Sequence, residues 1–236
     1  AEGTFETLQP GSETRKLVGT PFDFRPHGEC GMQISSILPH LAGIADELCL
    51  VRSMFSANNN HPQAQRFFQS GKVVPDWPTL GAWIGYALGT ENRNMPSFVV
   101  LRDPRGYTDG GNNHWKNGWL PAIYGGTEIR SEGDAVLNLK PARKVPEDVR
   151  SRNLQLLAAL NRGRQQFYPE DSRLESRIRN YELAARMQTS AEQLLDISGE
   201  TAATRTLYGL DNETTADFGR RCLMARRMVE SGVRFV

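Results

Sequence analysis

Apolar and polar positions along this chain fall into short continuous runs and longer helical stripes. Leu48, Cys49, Leu50 and Val51 form a run of the kind a buried parallel strand shows. A turn with three asparagines follows it, and then a stretch that predicts a helix, with Asn60 as N-cap, Pro62 in the first turn and Gly71 at the end. Ahead of that strand, residues 33–47 predict a helix with Ile37, Leu41 and Ile44 on one face, started late or kinked by Pro39. Residues 78–89 predict another, capped by Thr79, with Leu80, Trp83, Ile84, Ala87 and Leu88 as its apolar stripe. Residues 97–101, bounded by Pro96 and Pro104, read as the next strand. Strands separated by helices imply an α/β fold, a mostly parallel sheet flanked by helices.

The last third is helical in pattern. Residues 146–162 predict a helix packed through Val149, Leu156, Leu157 and Leu160. Residues 169–197 predict the longest one, with Leu174, Ile178, Tyr181, Ala185, Ala191 and Leu194 near one face. Glu175 with Arg179, and Glu182 with Arg186, are spaced as i,i+4 ion pairs. Thr214 followed by Asp217 reads as a capping box for a final helix with Phe218, Cys222, Ala225 and Val229 inward. Arg220, Arg221, Arg226 and Arg227 read as its solvated face. Val233, Arg234, Phe235 and Val236 read as the opening of a buried strand, whereas residues 1–30 read as a polar surface loop with a short extended piece over 21–25.

Charge excludes more than it suggests. The 236 residues carry a formal net charge of +1, so there is no overall field to hold nucleic acid or an anionic membrane. No apolar run approaches the roughly 20 residues a membrane helix needs. The three cysteines, Cys30, Cys49 and Cys222, lack paired metal spacing, and the four histidines form no close-spaced ligand motif. Residues 106–133 are the unusual part. Their glycines, mixed with Asp109, Asn112, Asn113, His114 and Trp115, have the make-up of a binding loop, so His114 and Trp115 are candidate substrate contacts. The glycine pairs do not match a phosphate loop.

The stretch around Asn60, His61 and Pro62 resembles the nucleophile turn of the alkaline phosphatase and sulfatase superfamily. Laid back from Ser70, Gly71 and Lys72, the sulfatase register puts His61 where the nucleophile would stand, with Arg66 one place later than the sulfatase arginine. A closer resemblance is to a bacterial branch, the domain of unknown function 1501. It rests on Gly19-Thr20-Pro21-Phe22, Leu38-Pro39-His40-Leu41, Asn60-His61-Pro62, Pro78-Thr79-Leu80-Gly81, Gly118-Trp119-Leu120-Pro121, Tyr181-Glu182-Leu183-Ala184, Leu207-Tyr208-Gly209-Leu210 and Gly232-Val233-Arg234-Phe235-Val236. The resemblance implies a partial alkaline phosphatase-like layered fold over residues 1–236, an incomplete single domain whose outer strands belong to a longer, periplasmic or secreted protein. It also implies a hydrolase of phosphate or sulfate esters with a divalent metal ion in the full-length protein, and none expected for this stretch alone. In that reading His61 attacks the ester or binds metal, Asn60 and Asn59 donate to substrate oxygens, and Arg66, His114 and Trp115 contact the anionic substrate. Two alternatives stay open. Asn60, His61 and Pro62 can be only a helix start, and the protein can be a non-catalytic binding or assembly module that keeps the sulfatase-like fold.

Overall fold

The computed structural model describes residues 19–106, 109–130, 145–168 and 172–236. The predicted loop over residues 1–30, the loop over 106–133 and the helix over 169–197 therefore lie partly outside the described residues. So does the side chain of Glu175. The fold is mixed α/β, with seven α-helices and small sheets among the described residues. The chain divides into two compact units, Ala1–Asn59 and Asn60–Val236.

The first unit holds an antiparallel hairpin, β1 (Phe24–His27) against β2 (Met32–Ser35), with Phe24 opposite Ser35 and His27 opposite Met32. Asp46 closes the hairpin turn, its carboxylate accepting from the backbone N–H of Cys30 at 2.8 Å and of Glu29 at 3.0 Å. The short α1 (Pro39–Ala42) and a 3-10 turn over Ala45–Glu47 follow. A helix over 33–47 was expected, but Pro39 stands at its allowed place in the first turn of a helix and cannot lie inside one, so the preceding residues pair as a strand. The expected strand over 48–51 is also absent. Leu50 and Val51 are more than half exposed (56% and 54%), and no sheet pairing reaches them among the described residues. An apolar run becomes a strand only where a neighbour takes its backbone hydrogen bonds.

In the second unit α2 (His61–Ser70) and α3 (Leu80–Leu88) lead into β3 (Val99–Leu101), which pairs in parallel with β4 (Thr127–Ile129). Phe235 adds a parallel bridge to Phe98 on the other side, as the sequence of the final residues predicts. β4 lies inside the stretch read as a loop; it is only three residues long and follows glycines. The helices α4 (Glu147–Phe167), α5 (Ser172–Leu195), α6 (Ala202–Leu207) and α7 (Ala216–Glu230) complete the unit. Met95, Val99, Ile129, Met187, Met224, Met228 and Val233 form one buried cluster where the sheet meets α5 and α7.

Helix positions match the sequence pattern better than helix faces do. On α3 the buried residues are Gly81, Ala82 and Gly85, whereas Leu80, Trp83 and Leu88 point outward. A side chain at Gly81 would begin 2.6 Å from the Phe98 ring, so the smallest face admits β3 and the large residues are displaced from it. On α7 the inward residues are Gly219, Leu223, Met224 and Met228, and Phe218 and Val229 are exposed. The Tyr208 carbonyl occupies the place where a side chain at Gly219 would stand, which turns the helix about one position from the face its large residues suggest. No capping box forms. Thr215 is the N-cap, and its Oγ1 donates to Gly209 O at 2.7 Å. Two of the arginines read as solvated are not: Arg221 is buried against Asp217 at 3.1 Å, and Arg227 donates to Leu194 O at 2.8 Å beside Glu200. On α4, Leu156 and Leu160 stay exposed (61% and 63%). On α5, Tyr181 is exposed and Met187, with Leu183 and Leu194, meets the core. Arg186, expected to pair with Glu182, gives its Nε to Arg93 O at 3.0 Å.

Candidate functional site

The helix α2 is built as its sequence predicts. Asn60 has extended backbone, Pro62 stands in the first turn, and Gly71 is left-handed (φ 70°) with its N–H bonded to Phe67 O. Asn60 makes no side-chain cap hydrogen bond to the helix. His61 is the first helical residue and is exposed. Asn59, next to Asn60 in the chain, is the last residue of the first unit and is exposed as well. Arg66 folds back along α2, its Nε donating to Pro62 O at 3.1 Å, while Ser70 Oγ donates to Arg66 O at 2.8 Å. Arg66 is five positions after His61, which puts them about 7.5 Å apart along the axis and about 140° apart around it. One small anion would not meet both side chains on the same helix face.

Arg66 meets a different partner. The helix packs on a 3-10 turn, Gly111–Trp115, and a narrow cleft between them is lined by Arg66, Gln69, Ser70, Asp76, Asn113 and Lys116. Lys116 was not singled out from the sequence, yet its backbone is the best anchored point here. Thr79, only 2% exposed, donates to Lys116 O from Oγ1 at 3.1 Å and from its N–H at 3.4 Å. Asn113 Nδ2 donates to Gly110 O at 2.8 Å. Thr79 belongs to the motif Pro78-Thr79-Leu80-Gly81, so the signal was present but read as a helix cap; its side chain reaches across 37 positions instead.

His114 and Trp115 part company. His114 is 8% exposed, and its Nε2 donates to Asp109 O at 2.7 Å, the carbonyl being only an acceptor. It lines neither the Arg66 cleft nor the groove below, so its place is inside the turn, holding it folded. Trp115 faces a wider groove on the other side, together with Asn112, Lys116, Asn117, Thr127 and Asn180. Trp115 O accepts from Gly126 N–H at 2.8 Å, just before β4 begins. The loop therefore sits at the entry end of the parallel strands, not at their carboxyl ends, where open α/β sheets usually place ligands. The carboxyl end is occupied by ion pairs: Arg102 with Glu128 at 2.9 Å, Arg105 with Asp103 at 2.6 Å, and Arg221 with Asp217 at 3.1 Å. Hydrogen bonds from the Arg105 side chain and then its backbone N–H hold the Asp103 carboxyl well below its usual range.

Among the described residues no group of three or more His, Cys, Asp or Glu side chains is placed to hold a metal ion. Among them, no helix is long and apolar enough to cross a membrane.

Residues 2–236 match the profile of a family described as a protein of unknown function, DUF1501, and the chain belongs to that family. No curated protein and no solved structure matches it.

Proposed function

We propose that this chain binds a phosphate or sulfate ester by its anionic group, as the substrate wall of a sulfatase-like, metal-dependent hydrolase with an alkaline phosphatase-like layered fold, working in the periplasm or outside the cell. The observation that supports this best is the convergence of Arg66 and Lys116, from two separate elements, on one cleft. A guanidinium and an ammonium with an adjacent carboxamide, Asn113, suit an oxyanion, since hydrogen bonds to charged groups are the strong ones. Asp76 lines the same cleft and offsets part of that charge. His61 keeps the role of nucleophile in this reading, and any metal would be held by residues other than those described.

A second reading, a non-catalytic module that binds the same anion, is favoured by the position of His61 on a different face of α2 from Arg66. One set of measurements separates the two. Inorganic phosphate and sulfate should bind the chain, and Arg66→Ala and Lys116→Ala should each weaken binding about tenfold or more. Binding should fade as salt rises. In the full-length protein, His61→Ala should abolish hydrolysis of an aryl phosphate or sulfate while lowering stability by no more than about 1 kcal/mol. Anion binding with no turnover in either the parent or the variant selects the binding module. Anion binding insensitive to both Arg66 and Lys116 removes the cleft from either reading.

A further inference from the structure

The groove on the far side of the 3-10 turn has a different chemistry from the Arg66 cleft. It is open, has a volume of about 420 Å³, and lies between α5 and the turns that lead into β4. That size falls within the range of small-molecule pockets. Its apolar side is formed by Leu183 and Ala184 of α5, backed by the buried Met187, with the half-buried Trp115 on the other element. The polar positions are carboxamides and a hydroxyl: Asn112, Asn117, Asn180 and Thr127. Among the described residues of the lining, Lys116 is the one charged residue and there is no carboxylate.

From this lining we infer that the groove is a binding site for a neutral, hydroxyl-rich ring, a mono- or disaccharide. A sugar ring has apolar C–H faces and a rim of hydroxyls. The C–H faces suit the aliphatic residues of α5 and the indole of Trp115. A carboxamide carries a donor and an acceptor side by side, which matches a hydroxyl that both gives and accepts. Asn117 is already fixed for this. Its Nδ2 donates to Gly118 O at 3.0 Å and to Leu120 O, which leaves Oδ1 as a positioned acceptor. Oδ1 lies 3.6 Å from where a side chain at Gly125 would begin, so Gly125 lines the groove beside it. Asn112 and Asn180 are exposed residues of the same lining. A charged ligand would need more than Lys116 to hold it, and a wholly apolar one would strip water from three carboxamides without replacing their hydrogen bonds.

This goes beyond the anion-binding reading and does not depend on it, although Lys116 borders both sites. The test is saturation-transfer and titration NMR of the whole chain with glucose, galactose, maltose, cellobiose, lactose and chitobiose, and with a neutral tripeptide as a control. At least one neutral saccharide should bind with a dissociation constant in the low millimolar range or tighter, perturbing the Trp115 indole signal. Asn112→Ala combined with Asn180→Ala should weaken it about tenfold. Both residues are exposed, so the double variant should keep the parent melting temperature and its phosphate binding. Arg66→Ala, by contrast, should leave saccharide binding intact. Absence of binding by every saccharide at about 10 mM overturns the inference. Saccharide binding unaffected by the double variant, or binding of the peptide alone, overturns it equally.

Discussion

Two residues fix how closely the elements of the second unit approach. At Gly219 on α7 a methyl group would collide with the Tyr208 carbonyl, which is backbone and cannot swing aside. Gly219→Ala is therefore expected to cost more than about 2 kcal/mol, within the range for overpacking a tight contact, and to lower the melting temperature by several degrees. A variant that melts with the parent would mean that α7 and the Tyr208 turn are less closely packed than this. Gly118 combines left-handed backbone (φ 56°) with direct apposition to the Trp77 and Pro78 backbone. Both glycines explain motifs that carried the family resemblance: Gly118-Trp119-Leu120-Pro121 contains one, and Leu207-Tyr208-Gly209-Leu210 supplies the carbonyl that faces the other. The sequence marked these stretches as distinctive but not as packing devices, because the partner of each glycine is distant in the chain. In the first unit, backbone N–H bonds from Cys30 and then Glu29 lower the Asp46 pKa. Since the folded value lies below the ordinary one, the stabilisation is complete above about pH 4 and is lost as pH falls through the lowered folded value. NMR titration of the Glu29 and Cys30 amides should show a midpoint below about 4, and Asp46→Asn should remove that transition. A midpoint at or above the ordinary value would show that the turn is not held by the carboxylate.

At the scale of the element, the sequence told where helices lie more readily than which way they face. The existence of α2, α3, α4, α5 and α7 follows from periodicity and from end signals such as Pro62 and Gly71. Their orientation does not, because a pattern count gives weight to large apolar residues and none to glycine. On α3 that weighting points the wrong way. Phe98 and Ser97 occupy the space beside Gly81 and Gly85, so the large residues Leu80, Trp83 and Tyr86 form an outer surface where Trp83 meets Trp119 edge to face at 5.2 Å. Leu80→Gln is accordingly expected to change stability by no more than about 0.5 kcal/mol, as an exposed substitution does. Gly81→Ala should destabilise by about 1–3 kcal/mol, although alanine is the better helix former. Thermal or denaturant melts of the two variants decide it. The opposite ranking would restore the conventional stripe of Leu80, Trp83, Ile84, Ala87 and Leu88 as the buried face. The candidate site was legible to the same degree: Arg66 and Trp115 do line clefts, but Lys116 was missed because Thr79 anchors it from a distant part of the chain.

For the whole molecule, the class of fold was legible and the sheet only half so. The strand over residues 97–101 and the strand-like final residues do pair in parallel, through Phe98 with Phe235 and through β3 with β4. The strand over 48–51 does not, although its apolar run reads as a buried parallel strand. The difference lies in partners. Val99 N–H bonds Phe235 O at 2.9 Å and Thr127 N–H bonds Phe98 O at 2.9 Å, so β3 is bonded on both sides and its inward residue Val99 is fully buried. Leu48 N–H closes only the preceding turn, on Ala45 O at 3.2 Å, and the apolar side chains after it are exposed. Hydrogen exchange should separate these segments. The amides of Val99, Thr127 and Phe235 should exchange only through opening of the buried cluster, with protection approaching that of global unfolding of the second unit. Those of Leu50 and Val51 should exchange near the rate of an unprotected chain. Met187→Ala, which removes a side chain from the cluster where α5 joins it, should accelerate the protected group by the same factor at all three amides and leave Leu50 and Val51 unchanged. Slow exchange at Leu50 and Val51 would show that the first apolar run does find a neighbouring strand, and the sheet would then extend beyond the one described.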